Sequence, residues 1–259
     1  MINTKQLTEY GFTQFNIKDV DENLYNELSE LIGDGAEKYQ DELCIVRTSY
    51  IEPKEMESDP HQILGNSENY DIELMHRHER VDGILTKITV IFKSHQLAME
   101  YKERLYQPHR IFQQLWFFNM GLPNEAKPIV HKIFSKIIDE VYNKKLLVDK
   151  MKYEFTWYAK DCIIFSHKDV WSGDLPDPMN QCSILLYLNK HSYDESDGGY
   201  LCVDECNHKV YPKFGNVAMI EYNHVAREHR VEPPTTEYGR YGFLSFVGRA
   251  CIVPKQSVI

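Results

Sequence analysis

The sequence predicts an α+β protein whose core is mainly β, and two observations carry that reading. Up to about position 150, apolar residues recur at helical spacing. From about Lys152 the apolar runs shorten and are punctuated by Gly, Pro, Asn and Asp, the pattern of antiparallel strands. The expected organisation is one domain over 1–259, with a mainly helical supporting region in 1–150 and a β-barrel core in 151–250.

In chain order, the first element is a helix over Glu22–Leu31. Asp21 stands where a cap is needed, Leu24, Leu28 and Leu31 fall at helical spacing, and Gly33 supplies the stop. Residues 41–83 are polar, weakly periodic and rich in Glu, His, Tyr and Arg, and read as a long loop or covering insertion. Two further helices are expected over Arg110–Asn119 and Glu125–Tyr142, separated by Gly121-Leu122-Pro123. In the second, Ile129, Ile133, Ile137 and Val141 fall on one stripe. Six strands then follow: Tyr153–Tyr158, Cys162–His167, Ser183–Leu188, Gly199–Val203, Val217–Tyr222 and Tyr241–Val247. There is no internal repeat and no low-complexity segment.

The chain has 259 residues, 42% of them hydrophobic and 12% aromatic, enough to bury a sizeable core. Asp and Glu number 39 against 29 Lys and Arg, a net charge of −10 with no basic run. That balance argues against nucleic acid or an anionic membrane as partner. The start, MINTKQLTEYGF, has no basic stretch leading into an apolar run, and the expected location is the cytoplasm. Six cysteines are scattered without a CxxC pair. Cys202 reads as a core residue of an apolar strand and Cys206 as part of the following turn, so free thiols are expected.

The chemistry is concentrated in a few polar residues of the β region. His167-Lys168-Asp169 follows the strand-like run Cys162-Ile163-Ile164-Phe165, and residues two apart on an extended chain share a face. One such triplet is common by chance, so a third ligand is required. His229, within Glu228-His229-Arg230-Val231, supplies it. Two imidazoles and one carboxylate are the facial set that leaves positions open on iron(II). His224 competes with His229 but lacks the Arg-Val that follows the latter. His76 and His78 also look like a metal pair, but nothing pairs with them, and a solvated face is the favoured reading, with a substrate contact as the alternative.

From about Tyr153 to Val247 the chain resembles the 2-oxoglutarate/iron(II)-dependent oxygenases, in particular their prolyl-4-hydroxylase-like branch. The resemblance runs through Tyr158, the HxD triplet, Ile184-Leu185-Leu186-Tyr187-Leu188-Asn189, Gly198-Gly199-Tyr200-Leu201, Gly215-Asn216-Val217, His229-Arg230-Val231 and Arg240, in that order. It implies a double-stranded β-helix, or jelly roll, supported by N-terminal helices. It implies iron(II) on His167, Asp169 and His229, with 2-oxoglutarate and O2 as cosubstrates. Arg240, eleven residues after His229, corresponds to the basic residue that takes the distal carboxylate of 2-oxoglutarate, a geometry that suits a guanidinium. Tyr187 is similar to a tyrosine that meets the same carboxylate, and Tyr158 to a further pocket tyrosine. Core packing with a satisfied hydroxyl is the alternative for both.

The resemblance implies oxygen-dependent hydroxylation of a substrate C–H bond, or a related desaturation or cyclisation. Asp169 stands where the family's halogenases have a small residue, so halogenation is not expected. The segment Val170–Gln181 carries Trp171, Pro176 and Pro178, and Trp171 is a candidate substrate contact or an inward-packed anchor of a rigid turn. The expected substrate is an amino-acid-like small molecule, because the long N-terminal half can close over a pocket and an acidic protein suits a neutral or cationic ligand. A prolyl residue in a peptide is the alternative substrate. A cupin-like metalloprotein that does not use 2-oxoglutarate, or a silent jelly-roll binding protein, is the alternative of another class. The first would leave Arg240 without its ligand, and the second predicts a broken triad.

Overall fold

The computed structural model describes residues 2–42, 45–48, 70–80, 83–92, 96–97, 117–160, 162, 164–167, 180–203, 206–222 and 228–255. The chain opens with α1 (Thr4–Tyr10), β1 (Phe12–Asn16), α2 (Ile17–Val20) and α3 (Glu22–Ile32). It continues through β2 (Ile45–Thr48), β3 (Tyr70–Arg80), β4 (Gly83–Phe92), β5 (Phe117–Gly121) and α4 (Lys127–Tyr142). Then come β6 (Lys144–Leu146), β7 (Lys152–Tyr158), β8 (Ile164–His167), β9 (Asn180–Tyr187), β10 (Leu201–Val203) and β11 (His208–Val210). The last strands are β12 (Asn216–Glu221), β13 (His229–Val231), β14 (Arg240–Gly248) and β15 (Ile252–Pro254).

From β7 to β14 the chain passes back and forth between two sheets, with β10 and β11 consecutive in one of them, while β15 pairs with β6 in a separate two-stranded sheet. β7, β9, β12 and β14 lie in a nine-stranded sheet of order β1-β12-β9-β14-β7-β5-β2-β4-β3, and β8, β10, β11 and β13 form a four-stranded sheet of order β11-β10-β13-β8. All these pairings are antiparallel. Crossing between two sheets in this way is a jelly roll, as expected.

The helices form where their local chemistry dictates. Asp21 accepts from the backbone N–H groups of Asn23 and Leu24, satisfying two of the donors left open at the start of α3. Gly33 ends the helix at φ 63°. Its buried stripe is Leu24, Leu28 and Ile32, with the expected Leu31 only partly buried. In α4, Ile129, Ile133 and Ile137 are buried as the spacing requires, and Val130, Phe134 and Ile138 widen the stripe. Each such side chain contributes about 1.5–3 kcal/mol on burial, so α4 is a main anchor of the core. The sheet presents Phe155, Trp157, Tyr241 and Phe243 as one aromatic layer, with ring centroids 5.8–6.0 Å apart. Tyr39 extends that layer at 5.3 Å from Phe155. Alternation then sends Thr156, Tyr158, Arg240 and Gly242 to the opposite face, toward the inside of the jelly roll.

The first half departs from its mainly helical expectation, because β1 to β5 supply five of the nine strands of the large sheet. Residues expected as a loop contain β2 and β3, and the Phe117–Asn119 end of the expected second helix is β5, which pairs with β7. The remainder of Arg110–Asn119 lies outside the described residues. A short apolar run between two neighbours, such as that around Phe117 and Phe118, has no alternation to distinguish strand from helix. Cys162, Cys182, Cys202, Cys206 and Cys251 are free thiols, and Cys202 is a buried strand residue with Cys206 after it. Among the described residues no helix is long and apolar enough to cross a membrane.

Candidate functional site

Two of the expected metal ligands stand on neighbouring strands of the small sheet. β13 pairs with β8 so that His229 lies directly opposite His167, and the register shifts between His229 and Val231. His229 is buried, and Val203 of β10 is opposite it on its other side. Asp169, Trp171 and His224 lie outside the described residues. His76 and His78 lie on β3, the last strand of the large sheet, four strand spacings from β7 and so about 19 Å away from it.

Deeper in the jelly roll is Arg240, the first residue of β14 and only 1% exposed. Its guanidinium carbon sits 4.4 Å from the ring centre of Tyr158 and 4.9 Å from that of Tyr187. The strands impose this arrangement: Arg240 is opposite Tyr158 on β7, and Gly242, two residues on, is opposite Tyr187 on β9. One terminal nitrogen donates to the carbonyl of Gly199 at 3.2 Å. Nε of Arg240 and the hydroxyl of Tyr187 are buried without a hydrogen-bond partner among the described residues. Neither does any carboxylate of the described residues pair with Arg240.

A buried guanidinium without a counter-charge is costly, as is a buried hydroxyl without an acceptor. Burial pushes the pKa values of Tyr187 and Tyr158 above the ordinary phenol value, and the nearby positive charge of Arg240 only partly opposes it. Both phenols are therefore protonated and able to donate. A buried cation, with a donor on Nε and a neighbouring phenol that are both unpartnered among the described residues, fits a carboxylate ligand such as the distal end of 2-oxoglutarate.

The glycines here are dictated by close approach. Gly239 has φ +64°, and a Cβ on it would fall 2.2 Å from the carbonyl oxygen of Tyr158. At Gly198, with φ +67°, a Cβ would fall 1.9 Å from the carbonyl oxygen of Pro233, so the Pro233-Pro234 backbone approaches this glycine closely. Sequence reasoning missed Asn189, which is buried and hydrogen-bonded on both sides of Arg240. Its amide nitrogen donates to the carbonyl of Gly239 and its amide oxygen accepts from the N–H of Tyr241, each at 2.8 Å. Its only signal was membership of the Tyr187-Leu188-Asn189 triplet.

Residues 153–248 match the family model described as the 2OG-Fe(II) oxygenase superfamily, whose members use iron(II), 2-oxoglutarate and O2. No curated protein matches the chain. Among solved structures, a Pseudomonas putida prolyl-4-hydroxylase is similar at 14% identity and TM-score 0.42, with 95% of this chain and 96% of that one covered. A Trichoplax adhaerens prolyl hydroxylase, in complex with a hypoxia inducible factor oxygen degradation domain peptide fragment, is similar at 15% identity and TM-score 0.46, with 95% and 87% covered. A prolyl 4-hydroxylase from Phytophthora capsici is similar at 15% identity and TM-score 0.41, with 91% and 66% covered.

Proposed function

We propose that this chain, whose residues 153–248 match the 2OG-Fe(II) oxygenase superfamily, is a prolyl-4-hydroxylase-like dioxygenase that hydroxylates an unactivated C–H bond of an amino-acid-like small molecule. The observation that supports the cosubstrate assignment is the buried Arg240, held between two tyrosine rings with Nε and the Tyr187 hydroxyl unpartnered among the described residues.

His167, Asp169 and His229 would hold iron(II), in keeping with the opposed positions of the two histidines. When bound with 2-oxoglutarate and O2, the iron supplies the oxidising power for cleaving a C–H bond. The chain's own residues do the positioning. Arg240 receives the distal carboxylate of the cosubstrate, and Tyr187 donates its phenolic proton to the same group. Tyr158 packs against the guanidinium and helps keep water from it. The burial of all three makes each charge-assisted contact stronger than it would be in water. Trp171, on the segment that follows Asp169 in the sequence, would contact the substrate.

The net charge of −10 favours a neutral or cationic substrate. The test is succinate release from 2-oxoglutarate by the iron(II)-loaded protein, with free amino acids in one arm and proline-containing peptides in the other. Succinate release stimulated by an amino acid, with one oxygen atom added to it and loss of activity in His229→Ala, is the expected result. Stimulation by the peptides alone would replace the small-molecule reading with a peptidyl hydroxylase.

A further inference from the structure

Asn189 bridges the chain on either side of Arg240, and its own place is fixed from a third element. Its amide closes two hydrogen bonds at 2.8 Å, to the Gly239 carbonyl and from the Tyr241 N–H. Its backbone carbonyl accepts from Phe214 at 2.8 Å, and the carbonyl of Tyr187 accepts from Gly215 at 3.0 Å. The Leu188 N–H donates to the Tyr241 carbonyl at 3.1 Å. The turn at 213–215 therefore sets the positions of both Tyr187, which carries the orphan phenol, and Asn189, which holds the backbone of Arg240. Gly215 at this turn has φ +78°, and a Cβ on it would meet the Tyr25 ring at 2.8 Å, so the turn is packed against α3.

We infer that Asn189 is a positioning residue that sets the depth of the Arg240 guanidinium, and thereby selects the chain length of the 2-oxo acid cosubstrate. The inference rests on the oxygenase reading. In that reading the 2-oxo acid end of the cosubstrate is held at the iron ligands and the far carboxylate at Arg240. The separation of the two anchors then acts as a ruler. His167 and His229 of the first anchor are on strands, and the backbone of Arg240 begins β14 directly after a glycine with positive φ. β7 holds this strand end on one side, but pairing with β9 on the other begins only at Gly242, and there Asn189 pins it with one donor and one acceptor, both buried. A carbonyl and an N–H left unsatisfied on removal of that amide would relax toward other partners, taking Arg240 with them.

The experiment is equilibrium binding by anaerobic calorimetry to the iron(II)-loaded full chain. Three probes that differ only in length are compared: oxaloacetate, 2-oxoglutarate and 2-oxoadipate. The wild type is expected to prefer 2-oxoglutarate over either neighbour by about tenfold or more, and Asn189→Ala to weaken 2-oxoglutarate by about tenfold to a hundredfold, a cost on the scale of an ångström-sized misplacement. The other two probes should change by less than about threefold, so that the length preference collapses. Ile133→Ala in α4, which removes buried volume from the same core and leaves the Asn189 hydrogen bonds in place, should leave the preference intact. An Asn189→Ala protein that keeps the wild-type preference, or weakens all three probes equally, overturns the positioning role while leaving the oxygenase reading standing. A wild type that binds none of the three removes the oxygenase reading itself, and the ruler with it.

Discussion

Replacing Tyr187 by Phe should move stability and cosubstrate affinity in opposite directions. The Tyr187 hydroxyl is buried with no hydrogen-bond partner among the described residues, and burial keeps it protonated. In the ligand-free protein it contributes only a desolvation penalty, about 1–3 kcal/mol for a buried unsatisfied polar group. The ring, 4.9 Å from the Arg240 guanidinium, is retained in Phe. Tyr187→Phe is therefore neutral to stabilising without ligand, and each kcal/mol gained raises the melting temperature by about 2–4 °C. With 2-oxoglutarate bound, the variant lacks a hydrogen bond to a charged acceptor worth about 1.5–3 kcal/mol. Dissociation constants should rise by about tenfold to 150-fold. Thermal unfolding of the ligand-free protein and anaerobic titration of the iron(II)-loaded protein measure the two effects separately. A variant that melts several degrees lower while binding 2-oxoglutarate normally would refute the reasoning, because the hydroxyl would then have a structural acceptor and no cosubstrate.

Gly239→Ala places a methyl group against the Tyr158 carbonyl at a positive φ. It should cost about 1–3 kcal/mol and weaken 2-oxoglutarate at the same time, read by melting temperature and titration together. Asp21→Ala removes the acceptor of two N–H groups at the start of α3. A loss of about 1 kcal/mol is expected, seen as a lower urea midpoint with an unchanged slope. His131 has its pKa lowered, chiefly by burial, and its ring lies 4.9 Å from that of Tyr153. Its unfolded form binds a proton more readily than its folded form, so its share of stability is full above about pH 6.5 and falls as the pH drops through the lower folded value. His131→Phe should therefore lose less melting temperature than the wild type on acidification from neutral pH.

How far the sequence reaches depends on how local each signal is. The α4 helix was legible because four apolar residues one helical turn apart need no knowledge of the rest of the chain. The Asp21 cap and the Gly33 stop were legible for the same reason. The longer strands of the jelly roll, β7, β9, β12 and β14, showed as apolar runs between turn residues. By contrast, β11 and β13 are three residues each and carry no period of their own. They exist because β10 offers both of its edges, to β11 on one side and β13 on the other. The strands β2 and β5 were missed because they sit in the large sheet through partners distant in sequence, whereas β3 and β4 pair with each other as sequence neighbours and were missed because β3 is polar and weakly periodic.

The candidate site divides along the same line. Arg240, Tyr187 and Tyr158 could be named from their types and order. Their stacking depends on the register of β14 against two different strands, which no window of sequence contains. Asn189 was invisible as a functional residue because its two partners are fifty residues away. Burial is likewise a product of the assembled fold, and it is burial that turns an ordinary arginine and phenol into an anion site.

The most direct test of the central claim is anaerobic titration of the iron(II)-loaded protein with 2-oxoglutarate, following the weak visible charge-transfer band of the chelated metal, with Arg240→Ala alongside. The account predicts a saturable band in the wild type and a much weaker affinity in the variant, by about 2–5 kcal/mol for loss of one partner of a buried charge pair. Bound iron with no band, or a band that the variant reproduces at the same 2-oxoglutarate concentration, would contradict it.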